Sequence, residues 1–88
     1  MNLYLVQCDF KQGSDAWEKI GAILNSHEGK RHRPDSWIIL SAEPVSIIYE
    51  KLRHSLGESD FILITKIGTD QINNYPENIK NWIHANIA

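Results

Sequence analysis

The stretch NLYLVQCDF, residues 2–10, constrains the fold more than any other part of the chain. Successive side chains of a strand point to opposite faces. Leu3 and Leu5 therefore share one face with Gln7 and Asp9, while Tyr4, Val6, Cys8 and Phe10 take the other. Both faces are apolar, so the strand belongs in the middle of a sheet with cover on each side. It also carries a carboxylate, Asp9, at its C-terminal end. Asp opens turns readily, and a carboxylate in that position can equally hold a metal; the two readings stand side by side.

The remainder of the chain alternates helical and extended patterns. The segment KQGS predicts a turn, with Ser14 as N-cap of a helix over 15–26 whose stripe is Trp17, Ile20, Ile23 and Leu24. Gly29 offers a stop. Pro34 and Asp35 separate a short polar strand near 30–34 from an apolar strand at 36–41. Ser41 and Pro44 open a second helix with Val45, Ile48, Leu52 and Leu56 inward, ended by Gly57. SDFILITKIG predicts a strand near 60–67, again apolar on both faces. Pro76 then starts a third helix, PENIKNWIHANI, with the stripe Ile79, Trp82, Ile83 and Ile87.

The order β-α-β-β-α-β plus a C-terminal helix predicts one α+β domain over residues 1–88, a ferredoxin-like sandwich with an extra helix. Two helices cover one face of such a sheet, yet the strands are apolar on both. The second face needs the third helix or another copy of the sheet, since a bare apolar face of several hundred Å² is unusual on a monomer. A homodimer is the expectation, with a clean monomer at micromolar concentration counting against it.

Composition narrows the function classes. An apolar share of 42% with 23% charged residues belongs to a folded soluble domain. A net charge of −2 argues against a generally basic nucleic-acid coat protein but leaves room for a local basic patch. The single cysteine, Cys8, cannot form an intramolecular disulfide and sits in an apolar strand, which favours a reducing compartment. The first residues have no basic n-region or small-residue cleavage site, and apolar runs reach only about four residues. A cytoplasmic protein with no membrane association is expected.

Few residues suggest chemistry. Mg²⁺ takes oxygen ligands, keeps several waters and needs only one or two protein carboxylates. One Asp9 per chain is too few for a well-held ion, but two brought together across a dimer axis make a plausible pair for metal-assisted phosphodiester hydrolysis. The alternative is that Asp9 ends its strand and caps the turn with Lys11 and Gly13. Lys30, Arg31 and Arg33, in the run KRHR, are positioned to grip phosphates, or else to protect an exposed strand edge. Trp17, Trp37 and Trp82 lie at apolar positions and read as core or interface anchors, with Trp37 and Trp82 assigned to the dimer interface. The histidines lack metal-ligand spacing, and the glycines form no phosphate loop. Cys8, a buried thiol beside a carboxylate, should resist ionisation.

The first strand LVQCDF, the DSWIIL strand, the DFILITKI strand and the Trp-bearing terminal helix together resemble the SinR-like group. These are small proteins related to the smaller of the two CRISPR adaptation nucleases. The likeness spans nearly the whole chain in element order, with DSW at 35–37 and NWI at 81–83 as the nearest motifs. It implies a ferredoxin-like homodimer in which Asp9 matches the metal-binding catalytic residue and faces its twin. It further implies a metal-dependent endonuclease on RNA or DNA, or a scaffold that binds another protein. Function grafted on a shared fold is an argument from association, so a dimeric adaptor without catalysis stands as the competing expectation.

Overall fold

A computed structural model describes residues 1–87 of the chain. Along it run β1 (Asn2–Asp9), α1 (Ala16–Leu24), β2 (Gly29–Arg33), β3 (Ser36–Ser41), α2 (Val45–Leu52), a 3-10 turn (Arg53–Ser55), β4 (Phe61–Ile67) and α3 (Glu77–Asn86). β1 is central as its two apolar faces demand: it pairs antiparallel with β3 on one side and β4 on the other. β2 joins β3 antiparallel, and the sheet order is β2-β3-β1-β4. This is the ferredoxin-like α+β arrangement, two interlocked split β-α-β units.

The two faces of β1 carry two cores. Tyr4, Val6 and Cys8 join Trp37 and Ile39 beneath Ile20 and Leu24 of α1 and Ile48 and Leu52 of α2. Each fully buried aliphatic side chain here contributes about 1.5–3 kcal/mol. The Tyr4 hydroxyl leaves this core to donate to the Glu43 carbonyl at 2.6 Å, pinning the β3–α2 connection. On the opposite face Leu3, Ile38 and Leu40 pack under Ile79 and Ile83 of α3, with Leu5, Ile67, Tyr75, Trp82 and Ile87 at the margin. The third helix, rather than a second copy, thus covers the Leu3 end of the second face.

Several expectations need correction. Trp37 offers nothing to a dimer interface: it is 1% exposed, enclosed by α1 and the sheet. β4 is not covered on both faces. Ile62 and Ile64 pack on the helix side, while Phe61 and Leu63 are 63% and 59% exposed, because α3 lies over the other end of the sheet. α2 stops at Leu52 and tightens into the 3-10 turn instead of running to Gly57. Val45 is exposed, since β4 is an edge strand and α2 overhangs it, leaving Val45 and Tyr49 beside Ile62 and Ile64 in a shallow groove. α1 ends at Leu24, and Trp17 stands on its open flank.

The connections follow their residues. Gly13 takes a φ of +85° in the turn after β1, a region that favours glycine. Ser14 accepts the Ala16 amide on its hydroxyl at 3.1 Å as α1 begins. At Gly29 any Cβ would collide with the Ile38 carbonyl oxygen, so the close β2–β3 approach requires glycine. Among the described residues no helix is long and apolar enough to cross a membrane.

Candidate functional site

The half of the second sheet face that α3 leaves open holds Asp9. Along β1 the register sets Leu3 against Ile67, Gln7 against Leu63 and Asp9 against Phe61. Gln7, Asp9, Phe61 and Leu63 therefore share one end of this face, around a shallow depression of about 220 Å³. Asp9 is exposed, and its carboxylate makes no hydrogen bond or ion pair among the described residues. Among those residues no three His, Cys, Asp or Glu side chains gather as a metal site. Each chain thus supplies a single carboxylate here, and a held cation requires a second source of ligands.

The turn that Asp9 was expected to cap is organised by another carboxylate, one that sequence reasoning passed over. Asp60, 9% exposed, accepts the Lys11 amide at 2.7 Å, the Gly57 amide at 2.8 Å and the Ser14 hydroxyl at 3.0 Å. It joins the β1–α1 turn to the loop before β4, and the two segments enclose a cavity of about 450 Å³. The Gly57 and Lys11 amides, helped by Ser14 and the Lys11 charge, hold the carboxyl below its ordinary value against the opposing effect of burial. A signal existed: GESD ahead of an apolar strand is turn chemistry. Two of its three partners lie 46 and 49 residues away, so only the fold reveals the clasp.

The basic run does not assemble as one patch. Lys30 pairs with Ile38 and Arg31 with Trp37, which puts them on opposite faces of the sheet. The Lys30 ammonium stands 5.8 Å from the centre of the Trp82 ring beside α3. The Arg31 guanidinium lies 4.6 Å over Trp37 on the α1 side and donates to the Pro34 carbonyl at 2.6 Å. Arg33 is exposed opposite Ser36, beyond an irregularity in the β2–β3 ladder. Two of the three cations are thus lids on indole rings, contacts that draw on the ring quadrupole. Trp82 itself is half-buried and packs against the second core.

Cys8 is inert for a reason the strand predicted. Burial pushes its thiol up to about 12, and the Asp35 and Asp60 carboxylates add to the effect. A search of protein-family models finds none that matches the chain, and no curated protein matches it in sequence.

Proposed function

We propose that the protein is a small cytoplasmic adaptor that works as a homodimer, its copies meeting at the open half of the second sheet face. One observation carries this reading: Phe61 and Leu63, two large apolar side chains at alternate positions of an edge strand, stand exposed beside Gln7 and Asp9. A second copy fits this surface because two such apolar faces can stack on one another about a two-fold axis, the commonest oligomer symmetry. The outward helices then remain free for another protein, and there Trp17, Ile47 and Tyr49 are exposed.

A second reading is favoured by Asp9 alone. Its carboxylate stands exposed on the same half-face, so a two-fold axis there would bring two carboxylates toward each other. With Mg²⁺ between them, the pair would serve the endonuclease chemistry that the SinR-like resemblance implies, on RNA or DNA. Support from the basic run is limited to Arg33, since Lys30 and Arg31 are engaged on opposite faces.

One preparation tests both. Light scattering at micromolar concentration is expected to give twice the chain mass, and F61K/L63K to give the monomer; a wild-type monomer would sink the adaptor dimer. Labelled RNA and DNA, incubated with Mg²⁺ or Mn²⁺ and with chelator, are expected to stay intact. Metal-dependent cleavage lost in Asp9→Ala would replace the adaptor with the nuclease.

A further inference from the structure

We propose that the cavity between the C-terminal end of α1 and the β2–β3 hairpin binds a small oxyanion, a phosphate or a carboxylate. The cavity measures about 220 Å³, and its wall includes Asn25, His27, Lys30, Arg31 and Trp37. Among the described residues, two buried side-chain polar atoms lack a hydrogen-bond partner: His27 Nδ1 and Trp37 Nε1. Both belong to residues of this one wall. Folded proteins rarely leave such groups unpaired, and each instance calls for an explanation.

The ligand's chemistry follows from what the wall offers. An indole N–H only donates, and so does a guanidinium; His27 Nδ1 donates in one of its tautomers. The matching ligand is an acceptor. Arg31 brings its guanidinium to this side of the sheet, the Lys30 ammonium standing over Trp82 on the other, and no carboxylate lines the cavity, so the acceptor is anionic. Arg31 is the adaptable part. Its Nη2 is committed to the Pro34 carbonyl and its plane lies over Trp37, which leaves further N–H groups of the fork for a bidentate anion. The indole is the fixed part, since Trp37 is 1% exposed. This site shares no residue with the open half-face around Asp9, so its fate is independent of the dimer and nuclease readings.

The test reads the three indole N–H resonances in proton–nitrogen correlation spectra of the whole protein. Sodium phosphate and sodium acetate are titrated separately, with sodium chloride at matched ionic strength. The Trp37 resonance is expected to shift saturably with one or both anions while those of Trp17 and Trp82 stay in place. Saturation with phosphate alone assigns a phosphate group, and with acetate alone a carboxylate. Arg31→Gln is expected to weaken binding roughly tenfold, the loss of one charge-assisted contact. Arg33→Gln, the same change of charge outside the cavity, is expected to match wild type. Should Arg31→Gln lose its dispersed spectrum, Arg31→Lys keeps the charge without the fork and is expected to bind more weakly than wild type. A Trp37 resonance that stays put, drifts as it does with chloride, or responds equally to substitution at Arg31 and Arg33 overturns the site.

Discussion

Asp9 and Asp60 show how much a carboxylate's role depends on what approaches it. Asp9 ends a strand in the open, whereas Asp60 enters one and collects two amides and a hydroxyl. Because those donors favour the charged form, its pKa in the fold lies below the ordinary carboxylate value. The stabilisation this supplies is fully present above the ordinary value and disappears as pH falls through the folded one. Asp60→Asn keeps one acceptor oxygen and removes the charge, so it is expected to melt several degrees below wild type near neutrality. The gap should close as pH falls below the ordinary carboxylate value and through the lower folded one, where protonated Asp60 comes to resemble asparagine. Thermal melts followed by circular dichroism decide the point, and a gap unchanged with pH would show that charge is not what the clasp uses. Asp9 was legible from sequence because strand ends are marked locally. Asp60 was not, since its importance is created by a turn that only the folded chain brings to it.

At the scale of elements the sequence was most readable where a pattern answers to a single neighbour. β3 is buried on both sides and reads as such, whereas β1 is covered on both only toward its Leu3 end, Gln7 and Asp9 standing exposed. α3 shows the same legibility, its inward stripe of Ile79 and Ile83 resting on Leu3, Ile38 and Leu40. What apolar content could not reveal is where cover stops. FILITKI looks like β1 in composition, yet it is an edge strand, and α3 reaches only one end of its second face. Val45 and Trp17 were misjudged for the same reason: a helix stripe is buried only as far as the sheet beneath extends. The weight that α3 carries can be measured. Ile83 is 1% exposed between helix and sheet, so Ile83→Ala is expected to cost about 2–5 kcal/mol by urea unfolding. A loss below about 1 kcal/mol, the range of a surface site, would mean that α3 is not integral to the fold.

For the molecule as a whole, the decisive matter is how the open half-face is satisfied. α3 removes the need for a second copy at the Leu3 end, so any dimer must draw on the smaller patch formed by Phe61, Leu63, Gln7 and Asp9. Such an interface has a definite geometric consequence. In an isologous pair each residue near the two-fold axis meets its own twin, so two stacked copies of this patch bring equivalent side chains into contact. A disulfide spans Cβ atoms about 3.5–4.5 Å apart, a distance that modest strand motion supplies. Cys8 makes the experiment clean: it is the chain's single cysteine, 2% exposed, and its thiol is pushed up to about 12, so the wild-type chain should resist mild oxidation. Leu63→Cys is therefore expected to give a covalent dimer on non-reducing gels under mild oxidant, while Ile47→Cys, exposed on the helical face, stays monomeric. Because apolar contact drives this pairing, its yield should hold as salt rises, whereas an assembly bridged by nucleic acid would fall away. Equal cross-linking at positions 47 and 63 would show random collision instead of a defined surface, and the patch around Asp9 would then be no more than the uncovered end of a sheet.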